Sequence, residues 1–198
     1  MYVRAAGRRK RSARFGLLLC ALAVLVLAYA VLYPPVARRA AHPLRYEELV
    51  EAAAQEFGLE EAHIYAVILC ESSFRADATS SAGARGLMQI MPETGEWIAG
   101  KFGEEDVFSA DMLYDPALNI RYGCWFLSYL SRLYENDLDT VTAAYHAGAG
   151  NVRKWLANPD CSMNGRTIDT TPFPATNRYM EKVRSAYEVY TQKLSKKA

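Results

Sequence analysis

The sequence predicts a mainly α-helical protein, in which one helical domain follows a single hydrophobic helix at the N-terminus. Three observations support this fold class. After position 44, apolar residues recur every three or four positions, without the sustained alternation that marks β-strands. One uncharged stretch before that point is long enough to cross a bilayer. Hydrophobic residues make up 51% of the 198 residues, enough for a core and too many for a disordered chain.

The first 44 residues predict a membrane anchor. Residues 15–33 are uncharged and apolar, and their number approaches the roughly 20 residues that a transmembrane helix needs. Six basic residues precede this segment and two follow it, which predicts that residues 1–14 are cytoplasmic and that the rest of the chain lies outside. The alternative is a cleaved signal peptide, because Ala28-Tyr29-Ala30 resembles a cleavage site; the long apolar run favours the anchor. Residues 34–44, which include three prolines, form a linker.

Charge is distributed unevenly along the chain. The first 44 residues carry eight basic and no acidic side chains, which leaves 15 basic and 22 acidic ones in residues 45–198, a formal charge of −7. A domain that binds nucleic acid needs a basic surface, so this function class is excluded.

The chain has four cysteines, at positions 20, 70, 124 and 161. Their spacing does not match that of a metal site, so no metal is expected. The three that follow the predicted anchor allow one disulfide, whose pairing the sequence leaves open. Cys70 and Cys124 lie in helical patterns, where cysteine usually serves as a small buried apolar residue.

Helix-ending and helix-starting residues divide the part of the chain after residue 44. Gly58 is expected to end the first helix, and Pro92 and Pro116 suit first-turn positions, the latter after Asp115 as the N-cap. Asn151 is expected to cap the helix that follows a glycine-containing break. The predicted helices cover residues 45–57, 60–71, 92–102, 116–134, 139–147, 151–157 and 176–194.

Glu71 is the most informative position. It follows Ile64, Val67 and Ile68 by seven, four and three residues, so the four side chains share one face of a predicted helix. Because this apolar face should be buried, the carboxylate lies at the edge of the core, where burial raises its pKa, and its place in the last helical turn acts in the same direction. A carboxylic acid that stays protonated near neutral pH is the proton donor that glycosidic cleavage needs. The alternative is a glutamate that reaches solvent at a helix end.

Two long irregular stretches, 72–91 and 158–175, separate predicted helices, and stretches of this length are often functional. The first contains Gln89 among large apolar residues. A buried Gln89 would need hydrogen-bond partners, whereas in a groove its amide could bind sugar hydroxyl and acetamido groups. Met88 and Met91 would then form adaptable apolar walls. The alternative is a core segment with an incidental glutamine.

Tyr145 and His146 lie at the end of a predicted helix, before a glycine turn. A tyrosine at this place can hold a carboxyl group through its hydroxyl while its ring lines a cleft. The alternative is a buried aromatic residue with a satisfied hydroxyl. His146 is a candidate titrating group, although a single histidine is more often structural.

Together, these segments resemble the catalytic domain of the soluble lytic transglycosylase family, a branch of the lysozyme-like superfamily. The resemblance covers residues 45–194 and rests on the order and spacing of several motifs within one domain. The motifs are Glu71-Ser72 after an apolar helix, GLMQIMP at 86–92, DPALNIRYG at 115–123, Tyr145 within AYHAG, Pro172-Phe173, and Arg178-Tyr179.

The resemblance implies a lysozyme-like fold and an enzyme that cuts peptidoglycan glycan strands without a cofactor. Glu71 matches the family's single catalytic carboxylate, which protonates the glycosidic oxygen between N-acetylmuramic acid and N-acetylglucosamine. The ionised carboxylate then removes a proton from the muramic acid's 6-hydroxyl, which closes on the anomeric carbon as a 1,6-anhydro end, while the acetamido group supports the positive charge. Residues implied to line the cleft, bind substrate or hold the acid are Ser72, Ser80, Met88, Gln89, Met91, Tyr145, His146 and Tyr179.

Two positions depart from the family pattern. The family usually has asparagine where this chain has His146, and commonly has glutamate where Ala175 stands, four residues before Tyr179. The second departure removes a substrate contact. Asp77, the nearest second carboxylate in sequence, lies in a Ser/Ala-rich loop and is expected to be solvated, outside the site. Two other functions stay open: a muramidase of the same fold that admits water, and a non-enzymatic protein that binds the cell wall.

Overall fold

The computed structural model describes Leu22, Leu25, Val26 and residues 41–197. It divides the chain into two compact units, with the boundary after Pro43. In the first unit, the three described residues before position 41 are helical, with exposed side chains. Within the described part of the chain, no helix combines the length and the apolar character needed to cross a membrane. The predicted cytoplasmic segment 1–14, the rest of the predicted transmembrane helix 15–33 and most of the linker lie outside the described residues.

The second unit, which begins at Leu44, is built from α-helices, as the sequence predicts. Its extended pairing, in residues 44–197, is limited to isolated bridges from Arg85 to Thr79 and to Ile90. The helices are α1 (Glu47–Phe57), α2 (Glu61–Ser72), α3 (Pro92–Phe102), a 3-10 helix (Ala110–Tyr114), α4 (Pro116–Leu133), α5 (Leu138–Ala147), α6 (Ala149–Leu156) and α7 (Pro174–Leu194).

Local cap chemistry accounts for most of these boundaries. Gly58 takes the left-handed conformation after α1, with a φ of 66°. Pro116 opens α4, and the Asp115 carboxylate accepts a hydrogen bond from the Leu118 N–H at 2.9 Å. Both features are as predicted, because a residue's own backbone preferences and its nearest neighbours decide them.

The predicted cap at Asn151 is wrong. The helix α6 begins at Ala149, and Gly148, with a φ of 86°, is its N-cap. Asn151 lies in the first turn, where its side-chain amide donates to the Ala147 carbonyl at 2.8 Å. Gly150 is the second residue of the helix, so the break in the chain lies at Gly148.

Helix α2 lies at the centre of the second unit. All seven residues from Ala62 to Ile68 are buried, so the helix is covered on every side and not only on its predicted apolar face. Its most extensive packing is against α7, where the rings of Tyr65 and Tyr190 stack with centroids 5.2 Å apart. This pairing brings the C-terminal end of α2 beside the first turns of α7.

A buried asparagine holds the irregular segment between α2 and α3 in place. The side-chain amide of Asn119 donates to the carbonyls of Arg85 and Leu113, at 2.9 and 2.7 Å, and its oxygen accepts from the Met88 N–H at 2.7 Å. At Gly86, φ is 76°, and an added Cβ would lie 2.1 Å from the Leu113 carbonyl oxygen. The segment therefore lies directly against the start of α4.

Cys70, Cys124 and Cys161 are free thiols in this structure. Cys124 and Cys161 are buried, and Cys70 is partly buried. The disulfide that the sequence allows is thus not formed among these three residues.

Candidate active site

Glu71 is the penultimate residue of α2. Ile64, Val67 and Ile68 are fully buried, which confirms the apolar face that the sequence predicts below the carboxylate. The helix ends where Ser73 takes the left-handed conformation and its N–H donates to the Leu69 carbonyl at 3.1 Å. The carboxyl group therefore projects from the last turn of a buried helix and is itself only partly exposed.

Tyr179, on the first turns of α7, holds this carboxyl group. Its hydroxyl donates a hydrogen bond to Oε1 of Glu71 at 2.5 Å. Burial raises the pKa of Glu71 to about 7, and the hydrogen bond from Tyr179 acts in the opposite direction. A carboxyl group with a pKa near neutral pH can both give and take a proton.

Tyr145 has a different partner. Its hydroxyl donates to the Met88 carbonyl at 2.8 Å, so it fixes the segment before α3 and does not hold the acid itself. Burial, and then the charge of Glu71, hold the pKa of Tyr145 well above its ordinary value. The electrostatic effect indicates that the hydroxyl and the carboxyl group lie in one site.

His146 stacks on the ring of Tyr179, with ring centroids 4.4 Å apart and planes inclined by 17°. The imidazole is otherwise exposed, and desolvation lowers its pKa below the ordinary value. It therefore contacts the residue that holds Glu71 and is open to solvent on its other side.

Gln89 and Ser80 shape the loop beside the acid. The Gln89 side-chain nitrogen donates to the carbonyls of Ala78 and Gly86, at 3.1 and 2.9 Å. Because the amide nitrogen already has two partners, only the amide oxygen of Gln89 is left to accept a hydrogen bond from a substrate. The Ser80 hydroxyl accepts from the Ala84 N–H at 3.0 Å and closes a turn. Both side chains are partly exposed.

Two of the expected contacts do not fit the structure. Ser72 is 2% exposed, and its hydroxyl donates back to the Ile68 carbonyl at 3.3 Å. The side chain of Met88 is fully buried and packs against Gly123, where an added Cβ would lie 2.3 Å from the methionine sulfur. Neither side chain is available to a substrate, contrary to the expectation from the sequence. Met91, directly before α3, is partly exposed.

Among the described residues, no other acidic group contributes to the raised pKa of Glu71. Burial raises this pKa, and the hydrogen bond from Tyr179 partly offsets the rise. Asp77 is exposed, as expected. In the part of the chain that the structure describes, no group of three or more His, Cys, Asp or Glu side chains is placed to hold a metal ion.

The sequence does not predict the role of Asn119, although this residue lies within the motif DPALNIRYG at 115–123. Its three hydrogen bonds position the segment that carries Met88 and Gln89. The signal for this role was weak: a polar residue inside the apolar pattern of a helix, two residues before the charged Arg121.

Comparisons with known proteins place the chain in a family. The family model for the transglycosylase SLT domain matches residues 48–163. The chain is 32% identical, over 149 residues, to a soluble lytic murein transglycosylase of Salmonella typhimurium, and the alignment covers 75% of this chain and 23% of that protein. It is 31% identical, over 169 residues, to membrane-bound lytic murein transglycosylase C of Salmonella arizonae, with coverage of 75% and 47%.

Solved structures give the same result. An inactive glutamate-to-glutamine mutant of lytic transglycosylase Slt from Pseudomonas aeruginosa superposes with a TM-score of 0.68 and 33% identity, over 78% of this chain and 25% of that chain. The 70 kDa soluble lytic transglycosylase from Escherichia coli superposes with a TM-score of 0.69 and 29% identity, over 77% and 25% of the two chains.

The chain spans about a quarter of the length of the soluble relatives and about half that of the membrane-bound one. The family model matches the part of the helical unit that contains Glu71 and Tyr145, and the similarity to the solved structures confirms the predicted lysozyme-like fold. The chain therefore belongs to the transglycosylase SLT domain family.

Proposed function

We propose that this protein is a peptidoglycan lytic transglycosylase, with Glu71 as its single catalytic acid and base. In this proposal it cuts the β-1,4 bond between N-acetylmuramic acid and N-acetylglucosamine and leaves 1,6-anhydro-N-acetylmuramic acid ends. The observation that carries the proposal is the 2.5 Å hydrogen bond from Tyr179 to Glu71, in a site where burial raises the pKa of the acid to about 7. The names of the relatives, all lytic murein transglycosylases, support the same activity.

The first chemical step needs a protonated carboxyl group. Glu71 gives its proton to the glycosidic oxygen as the bond from that oxygen to the anomeric carbon breaks. Because burial favours the neutral form of Glu71, a large fraction of the enzyme is ready to donate near neutral pH. The acetamido group of the muramic acid supports the positive charge that develops at the anomeric carbon.

The second step needs the same group as a base. Glu71, now ionised, takes the proton of the muramic acid's 6-hydroxyl, and that oxygen forms a new bond to the anomeric carbon. The Tyr179 hydroxyl stabilises the carboxylate between the two steps, since a hydrogen bond to the charged form favours it. The protein ends each cycle with Glu71 protonated again.

Among the described residues, burial alone accounts for the raised pKa of Glu71, with no contribution from a second acidic group, which supports a single-carboxylate reaction over a hydrolase with two adjacent carboxylates. A carboxylate within a few ångström of Glu71 would raise its pKa by repulsion. We assign Ser80, Gln89, Met91, Tyr145, His146 and Tyr179 to the cleft that holds the glycan and the acid.

We also propose that residues 15–33 anchor the protein in the cell membrane as a single span, with the catalytic domain on the extracytoplasmic side. The support is the uncharged apolar run and the basic residues around it. Protease added to intact spheroplasts should then degrade the domain after residue 44 and spare the N-terminus. Protection of the domain would contradict this orientation.

Digestion of purified sacculi, followed by mass analysis of the released sugars, tests the activity. Anhydro ends are lighter by one water than the reducing ends that a muramidase leaves. The Glu71→Gln variant should release neither product while it still folds. Release of reducing ends would identify a muramidase. Digestion by Glu71→Gln at the wild-type rate would remove Glu71 from the mechanism, and a folded wild-type protein that releases no sugar would indicate a non-enzymatic wall-binding protein.

A further inference from the structure

Two stacked rings join α5 to α7 beside the candidate active site. His146 is the second-last residue of α5, and Tyr179 lies in the first turns of α7. Their ring centroids are 4.4 Å apart and their planes are inclined by 17°, so the two faces are nearly parallel and in contact. Among the aromatic rings of the described residues, the imidazole of His146 is the one that packs on Tyr179. It therefore restricts the movement of the phenol ring.

The phenol ring of Tyr179 connects this stack to the acid. Its hydroxyl, at the far end of the ring, donates to Oε1 of Glu71 at 2.5 Å. Because the ring is rigid, the direction in which it leaves the backbone decides where the hydroxyl lies. Tyr179 is only 8% exposed, whereas His146 is exposed. The imidazole thus covers the outer side of a buried ring whose tip holds the catalytic carboxyl group.

The imidazole acts here as an uncharged aromatic ring. Desolvation lowers the pKa of His146 below its ordinary value, so the ring is neutral at neutral pH. No hydrogen bond or charged group among the described residues contributes to this shift. The stack on Tyr179 is accordingly the contact through which the side chain can influence the site, and this contact needs a flat aromatic face and not a ring nitrogen.

We propose that His146 is a positioning residue, whose ring keeps the Tyr179 ring in the direction that places its hydroxyl on Oε1 of Glu71. The inference rests on the proposed function and deepens it. In this arrangement α5 acts on α7 through the stack, and α7 acts on α2 through the hydrogen bond. When the imidazole is removed, the phenol ring can turn into the space that it leaves, and the hydroxyl spends less time on the carboxylate.

Titration of Glu71 measures this effect, because few groups of the site change charge near neutral pH. Burial, and then the charge of Glu71, raise the pKa of Cys70 to about 11. Burial also holds the pKa values of Tyr145 and Tyr179 well above their ordinary value. Carbon NMR of the full chain with labelled glutamate follows Glu71 itself, without substrate, and Glu71→Gln assigns the signal.

Replacing His146 by alanine should raise the pKa of Glu71 by about 0.5 to 1 pH unit. The weakened hydrogen bond favours the carboxylate, and a pair of aromatic rings stabilises its geometry by an amount of this order. His146→Phe keeps an aromatic face and removes both nitrogens, so it should return the pKa to near the wild-type value. In a double-mutant cycle, His146→Ala should add no further rise to that of Tyr179→Phe, because its effect passes through the hydroxyl.

Asp139→Asn is the matched control for a general loosening of α5 from α7. The Asp139 carboxylate accepts a hydrogen bond from Nε of Arg184 at 3.1 Å and so joins the same two helices at another place. This variant should leave the pKa of Glu71 at the wild-type value. Melting followed by circular dichroism shows which variants fold, and His146→Asn, which is polar and not aromatic, replaces an alanine variant that does not fold.

Three results would overturn the proposal. A pKa of Glu71 that stays unchanged or falls in folded His146→Ala would show that the stack does not support the hydrogen bond. A pKa that His146→Phe fails to restore would assign the effect to the imidazole nitrogens or their charge. Additive shifts in the double mutant would show that His146 acts without Tyr179. Each of these results is separate from the proposed function, which fails when the wild-type protein releases no anhydro sugar.

Discussion

Replacing Tyr179 by phenylalanine removes one hydroxyl and tests how the acid is held. In the wild-type protein this hydroxyl donates to Oε1 of Glu71 at 2.5 Å and opposes the effect of burial, which raises the pKa of Glu71 to about 7. A hydrogen bond to a charged group contributes about 1.5–3 kcal/mol, and about 1.4 kcal/mol corresponds to one pH unit in pKa. Because the bond favours the carboxylate, its loss should raise the pKa of Glu71 by about one to two pH units.

Carbon NMR of labelled glutamate measures this change directly, with Glu71→Gln to assign the signal. The pH dependence of kcat/KM gives a second measurement. If Glu71 acts first as an acid, activity falls as the pH rises through its pKa, and this alkaline limb should move upward by the same amount in Tyr179→Phe. Tyr145→Phe is the matched control, because the Tyr145 hydroxyl binds the Met88 carbonyl; it should move the limb much less. A pKa for Glu71 that stays near 7 or falls in Tyr179→Phe would refute the reasoning.

Three further predictions concern stability. The folded pKa of Glu71 is raised from 4.5 to about 7, so the stability that its protonated form contributes, about 3 kcal/mol, is complete below pH 4.5 and is lost as the pH rises through 7. From pH 5 to pH 8, the melting temperature of Glu71→Gln should therefore rise by about 6–12 °C relative to that of the wild-type protein. Desolvation lowers the pKa of the buried His63 from 6.5 to about 4, so the stability that its neutral form contributes is complete above pH 6.5 and is lost as the pH falls through 4. Between pH 6.5 and pH 3.5, the free energy of unfolding in urea should fall by about 3 kcal/mol less for His63→Leu than for the wild-type protein. Gly86→Ala should destabilise the fold by about 3 kcal/mol or more, because φ at this position is 76° and the new Cβ would lie 2.1 Å from a backbone oxygen. Gly100→Ala is the control: a Cβ at this exposed position of α3 would have no neighbour within 4 Å, so the change should be neutral or stabilising by about 0.5–1 kcal/mol. Equal melting shifts at both pH values, unchanged acid sensitivity, or equal effects of the two alanines would contradict the respective predictions.

The features that the sequence predicted well are decided by residues close together in the chain. Gly58 and the Asp115-Pro116 pair mark helix boundaries because cap geometry depends on the adjacent backbone. The position of Glu71 at the edge of the core followed from the three- and four-residue spacing of the apolar residues before it. Such periodicity gives the buried face of a helix without knowledge of what covers it.

The features that were missed or misplaced depend on partners far away in the sequence. Ser72 and Met88 belong to motifs that surround the acid, yet their side chains turn into the core, because Ser72 bonds to its own helix and Met88 fills the space above Gly123. Asn119 had no assigned role, since its bonds reach Arg85 and Met88, more than 30 positions earlier. Periodicity along one helix does not indicate which of its polar residues will meet a loop.

The bond between Tyr179 and Glu71 joins residues 108 positions apart, from the second and the last helix of the domain. Because Glu71 is synthesised 108 residues before Tyr179, a growing or truncated chain carries the carboxyl group without the hydroxyl that binds it. The pair forms only when the final helix docks on the buried one. The pKa of about 7 that suits Glu71 to its proposed role is therefore a property of the completed fold and not of any shorter piece of the chain.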